Sequence, residues 1–314
     1  MKQLQVLFAG AALLAGASRP ALAQPAITNH TTPGGIAFRY AHMPRAQMQT
    51  IQFGWKNAYA LMLPGGSAVS LLGTALMVQG PQGMARGEFV EDTKDLQARM
   101  QLSASSHFTL GGVIAPPDKF EATVDLFARV LSEPALNPAH LDEIRQNDLL
   151  SHKRAVTTPT SIAGRAAATL MLQPGPVQDW VLGDPAAMEK VRLEDIDAWR
   201  KAVFVREGLL VAAAGSHTPE IVAGQIDRLF AKLPATGTRV APVIPPEVMT
   251  SKTVVVEMAT PQTIIHFGVA SRFMSNPQAT HGTLAMNILR QRIFEAVRTK
   301  LGASYGATAQ LSAY

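Results

Sequence analysis

The chain has 314 residues, 47% of them hydrophobic, so it is long enough to bury one large core or two moderate ones. It has no cysteine, which excludes disulfides, thiolate metal sites and a thiol nucleophile. Its Lys and Arg are dispersed and aromatics make up only 6%, so no basic, aromatic-interleaved patch points to nucleic acid.

Taken in chain order, the first signal is a leader. Lys2 precedes an apolar run over 6–17, and Ala21-Leu22-Ala23 forms a small-x-small cleavage site before Gln24. That run is shorter than the roughly 20 residues a membrane helix needs, and Arg19-Pro20 interrupts its end. The expectation is a signal peptide over 1–23, an exported, periplasmic protein, and no membrane-spanning segment. Loss of Lys2 and Arg19 with the leader lowers the formal charge from +5 to +3.

Beyond the leader, β-branched and aromatic runs predict strands at 36–40, 49–55, 101–114, 209–214, 253–258 and 263–269. Apolar residues at helical spacing, opened by Ser, Thr, Asp, Asn or Pro, predict helices over 68–78, 87–100, 118–131, 138–154, 161–172, 193–203, 219–233 and 279–300. Long helices following paired strands make the fold class α+β.

An internal repeat organises these elements. Gln49-Thr50-Ile51-Gln52-Phe53-Gly54 returns as Gln262-Thr263-Ile264-Ile265-His266-Phe267-Gly268, 213 residues later. Each copy follows a short strand and precedes an apolar helix, and each leads on to a similar segment, Met100-Gln101-Leu102-Ser103-Ala104-Ser105 and Ala309-Gln310-Leu311-Ser312-Ala313-Tyr314. The Pro- and Gly-bearing stretch 236–250 reads as a linker. The expected organisation is therefore a first unit over 24–235 and the start of a second over 251–314. Each would be an antiparallel-rich sheet packed with helices, with the second incomplete at Tyr314 because its last strand is cut short, as in part of a longer chain.

These features together resemble the insulinase/pitrilysin family of zinc metallopeptidases, whose tandem α+β units close around a peptide. Similar phrasing occurs in Leu131-Ser132-Glu133-Pro134-Ala135-Leu136, in Leu182-Gly183 with the segment 191–199 after it, in the strand at 209–215 and in 229–234. The sharpest match is Arg298-Thr299-Lys300-Leu301-Gly302-Ala303-Ser304-Tyr305, similar to the family's Arg-x-x-x-Gly-x-x-Tyr signature. The resemblance implies that Arg298 and Tyr305 reach towards the substrate carbonyl. A guanidinium and a phenol can both donate to an oxygen that gains negative charge when water attacks.

The pattern departs from the family where chemistry would need it. Active members carry His-x-x-Glu-His on the helix after the second strand, two imidazoles for zinc and a carboxylate for water. Counting back from Gly80 places Leu71, Thr74 and Ala75 at those positions. None has the donor atoms or basicity required. The eight histidines, at 30, 42, 107, 140, 152, 217, 266 and 281, include no pair at the spacing by which one helix supplies two ligands. His107, in a predicted strand, and His152, on a predicted helix, read as ordinary core or surface residues. The family's glycine-rich stretch before the Arg-bearing helix is also shortened, since Asn287-Ile288-Leu289 runs directly into Arg290.

Gly302-Ala303-Ser304-Tyr305-Gly306 matches the Gly-x-Ser-x-Gly elbow of serine hydrolases, but its context is reversed. A helix precedes it, a strand is predicted after it, and eight residues remain for a partner Asp and His. The resemblance instead implies a catalytically inactive subunit that binds no cofactor itself. It would pair with a zinc-bearing paralogue, supply Arg298 and Tyr305, and form half of a peptide chamber. The alternatives are a stand-alone periplasmic peptide-binding or scaffold protein and, third, an active metallopeptidase with an unrecognised site.

Overall fold

Strand alternation builds the sheet. Gln49–Lys56 (β3) points Ile51, Phe53 and Trp55 to one buried face. The computed structural model describes residues 25–56, 60, 65–237, 252–260, 263–268, 276–302, 304, 306, 308 and 309. The predicted leader, most of the predicted linker and residues 310–314 of the predicted final strand lie outside these. The chain divides into two compact units, one of Gln24–Gly268 and one that takes in Val269–Tyr314.

In the Gln24–Gly268 unit, β3 is joined by Ile27–Thr31 (β1), Ala37–His42 (β2), Arg99–Ala104 (β4), Phe108–Ala115 (β5) and Leu209–Gly215 (β6). The sheet order is β1-β2-β6-β3-β5-β4, and every pairing is antiparallel except β2 with β6. Register aligns the inward residues in rows: Phe38, Val211, Phe53, Gly111 and Leu102 form one, and Tyr40, Ala213, Ile51, Val113 and Met100 the next. Glycine is required at 111, because a Cβ there would lie 2.4 Å from the Phe53 ring and 2.8 Å from Leu102 Cδ2.

Helices Phe120–Ser132 (α3) and Pro219–Phe230 (α9) pack together, and both carry apolar residues at helical spacing. Phe53 meets Phe127 and Phe230 at centroid distances of 6.0 and 5.1 Å, which ties the sheet to both helices. Helices Gly66–Met77 (α1), Arg86–Asp95 (α2), Pro138–Ala155 (α4), Pro159–Met171 (α5), Pro176–Leu182 (α6), Pro185–Lys190 (α7) and Leu193–Val203 (α8) complete the unit. Caps explain several starts. Asn137, Thr158 and Asp184 each accept a backbone N–H from the first turn that follows, and a proline stands next to each.

Several sequence expectations need correction. The single strand at 101–114 is two, because Ser105 turns the chain: its N–H donates to Phe108 O at 2.7 Å and its Oγ accepts from Phe108 N at 3.0 Å. His107 therefore sits in a hairpin turn and not in a strand. The helix at 87–100 stops at Asp95, and a left-handed Gln97 (φ +50°) redirects the chain into β4. Residues 252–258 and 263–268, predicted as strands, pair with no strand among the described residues.

In the Val269–Tyr314 unit, Asn276–Phe294 (α10) runs into a wider turn over Glu295–Lys300. Gly302, at φ +62°, donates its N–H to Arg298 O at 3.2 Å and ends the helical path, as glycine commonly does at this position.

Candidate functional site

The helix that would bear the metal residues is fully formed and closed in. α1 buries Ala68, Leu72 and Leu76 in the core, and Gly73 admits the Trp199 ring so closely that a Cβ would stand 2.6 Å from Trp199 Cζ3. Around it pack β4 and helices α4, α6, α7 and α8.

Leu71 is partly buried against the core, Thr74 is 4% exposed, and Ala75 is partly buried. The Thr74 hydroxyl bonds back to the carbonyl oxygens of Ser70 and Leu71, both at 3.0 Å, so its single proton is used within its own helix. The Ala75 carbonyl accepts Gln79 Nε2 at 2.9 Å. One satisfied hydroxyl, an isobutyl group and a methyl do not fit a zinc ion. Among the described residues no group of three or more His, Asp or Glu is placed to hold a metal.

The helices covering α1 carry a titratable set that sequence reading did not assemble. On α4, Arg145 Nε donates to Met188 O at 3.0 Å and Nη2 to Val191 O at 2.6 Å, tying α4 to the chain around α7. One turn further on, burial holds the Asp148 carboxyl above its usual range. One more turn on, burial lowers the pKa of His152, and the nearby Arg165 charge lowers it further. His152 lies against left-handed Gly183, where a Cβ would be 3.0 Å from Nδ1. Arg165 donates to Leu182 O. Asp179 on α6 is raised by burial and by the Asp184 charge. All three shifts favour the neutral form, which suits a closed packing surface better than a cation site. The i, i+4 spacing of Asp148 and His152 on the face that carries Leu141 was the available signal.

Of the predicted residues, the structure brings Leu71, Thr74 and Ala75 together on α1. It places Arg298 on the Glu295–Lys300 turn, exposed, with its guanidinium carbon 5.2 Å from the centroid of the Phe294 ring. Tyr305 lies outside the described residues. Ser304 Oγ donates to Gly306 O at 2.8 Å and accepts Gly306 N at 3.2 Å, a local turn. His107 pairs with Ser106 Oγ at 2.9 Å, and burial followed by the Lys56 charge lowers its pKa.

Residues 190–314 match the family model described as the peptidase M16 inactive domain. No curated protein matches the chain. Among solved structures, the fold is similar to a peptidase M16 inactive domain from Pseudomonas fluorescens, with a TM-score of 0.60 and 17% identity over 72% of this chain and 54% of that one. It is similar to a protease from Helicobacter pylori (TM-score 0.58, 15% identity, 71% and 54%). The periplasmic protease PqqL from Escherichia coli is a third (TM-score 0.58, 13% identity, 71% and 25%). The chain thus spans about half the length of the first two.

Proposed function

We propose the role of a catalytically silent subunit of a periplasmic zinc peptidase, a reading supported by the match of residues 190–314 to the peptidase M16 inactive domain and by the fold's likeness to such a domain. The observation that supports this most is α1: an intact, buried helix whose three metal positions hold Leu71, Thr74 and Ala75. Zinc and the water-activating carboxylate would come from a paralogous partner. This chain would contribute Arg298, and Tyr305 beyond it, as donors to the substrate carbonyl, together with half of the peptide-holding surface.

The chemistry agrees with that division. Thr74 cannot take a proton from water, whereas a guanidinium needs no metal of its own to stabilise a developing oxyanion. Coexpression with a zinc-bearing paralogue should yield a stoichiometric complex whose peptidase activity falls with Arg298→Ala and Tyr305→Phe. Full activity in both variants would end the proposed role. A chain that remains monomeric and free of zinc in the mixture, yet binds peptide, would instead support an independent binding protein.

A further inference from the structure

Phe294 is the last residue of α10, and the wider turn Glu295–Lys300 follows it directly. The widening shows in the backbone, where Leu301 N donates to Ala296 O at 3.1 Å, five residues back instead of the four of an α-helix. Turns of this kind are uncommon and recur at functional sites. Within this one the Arg298 guanidinium carbon lies 5.2 Å from the centroid of the Phe294 ring, inside the roughly 6 Å over which a ring face attracts a cation. Arg298 O accepts Gly302 N at 3.2 Å, so the backbone is fixed where the side chain is held.

The kind of contact matters. An arginine side chain loses much rotamer freedom when it is held in one place, so whatever holds it before substrate arrives removes part of the cost of using it. A carboxylate could do this, but it would take N–H donors of the planar fork and offset the charge that a developing oxyanion needs. An aromatic face restrains the guanidinium through its quadrupole and consumes no N–H donor. A leucine at 294 would keep the apolar bulk and lack the π face.

We propose that Phe294 is a positioning residue for Arg298. Its ring holds the guanidinium ready for the substrate carbonyl in the complex with the zinc-bearing partner. The inference rests on the role proposed above for Arg298 and adds to it the group that aims that side chain. Phe294 itself touches neither substrate nor metal.

The test has two readouts. On the full chain alone, the Nε–H resonance of Arg298, identified by its loss in Arg298→Ala, should move in Phe294→Leu because the ring current is gone, with circular dichroism unchanged. In the complex with a zinc-bearing paralogue, Phe294→Leu should lower kcat about fivefold with KM and zinc content unchanged, the scale of a cation–π contact at an exposed site. Phe294→Trp, whose ring attracts a cation more strongly, should keep kcat at the parent value or above it. In an Arg298→Ala background Phe294→Leu should have no further effect, whereas a merely structural phenylalanine would cost the same in both backgrounds. An unmoved resonance, a kcat lowered by Arg298→Ala but not by Phe294→Leu, a tryptophan variant as slow as the leucine one, or an added loss in the Arg298→Ala background would overturn the proposal and leave the role of Arg298 standing. Failure of the complex to form, or turnover indifferent to Arg298→Ala, would end that reading and this inference with it.

Discussion

Replacing Thr74 with glutamate tests whether α1 has closed over the place where an active enzyme would work. Thr74 is 4% exposed, and the hydroxyl that makes it tolerable is satisfied by Ser70 O and Leu71 O one turn back. A carboxylate there reaches past those carbonyls, which cannot donate to it, at a position the fold keeps almost wholly buried. An unpaired buried charge costs about 3–5 kcal/mol. For a unit of this size that corresponds to a loss of roughly 10 °C or more in melting temperature. Burial would raise the new carboxyl's folded-state pKa above its unfolded value, so the variant should regain stability as pH falls and lose it as pH rises through the folded value. Thr74→Val, which keeps the shape and removes only a locally used hydroxyl, should stay within about 1 kcal/mol of the parent. Thermal denaturation followed by circular dichroism across pH would read both. A Thr74→Glu protein as stable as Thr74→Val at neutral pH would refute the reasoning, since position 74 would then open to water.

Gly73→Ala gains about 1 kcal/mol of helix propensity but places a methyl within 2.6 Å of Trp199 Cζ3. The net effect should be a loss of about 1–3 kcal/mol with a shifted tryptophan emission, and a stabilised variant would contradict the close crossing of α1 and α8. The folded-state pKa of His152 is lowered by burial and Arg165, so its contribution is present above the unfolded value of 6.5 and fades as pH falls through the folded value. His152→Gln should therefore flatten the acid limb of a denaturation profile, and an unchanged slope would sink that assignment. Asp148 and Asp179 work in the opposite sense, their folded values raised, so Asp148→Asn should relieve a loss of stability that grows as pH rises through the folded carboxyl value. Urea midpoints at mildly acidic and neutral pH would show no pH-dependent difference from the parent if Asp148 is in fact solvated.

Local signals were readable where the element carries its own reason to form. Leu193–Val203 was predicted to the residue because Ile196, Trp199 and Val203 repeat at helical spacing, and Asp195 Oδ2 accepts Arg192 N at 2.9 Å at its start. β3 and β6 stood out by their β-branched and apolar content. β1 was missed because Ile-Thr-Asn-His-Thr is mostly exposed at a sheet edge and shows no buried alternation. The short helices α6 and α7 were missed because two turns offer too little periodicity, although the prolines at their starts were visible. Residues 253–258 were predicted as a strand from their valines, but strand formation needs a neighbour, and composition carries no information about one. The insertion of β6 between β2 and β3 joins residues more than 150 positions apart and has no local mark. At the site, the loss of donors at 71, 74 and 75 was legible from residue identity. The stripe of Arg145, Asp148 and His152 over α7 and Gly183 needed the fold to bring it together.

The most direct test of a silent subunit is light scattering with zinc analysis on this chain alone and mixed with a zinc-bearing paralogue, followed by peptidase kinetics on any complex. The account predicts no zinc on the isolated chain and one zinc per one-to-one complex. Arg298→Ala should leave that complex assembled while lowering kcat about 100-fold, the scale expected for losing one oxyanion donor. Stoichiometric zinc on this chain alone, or a complex whose turnover is indifferent to Arg298, would contradict it.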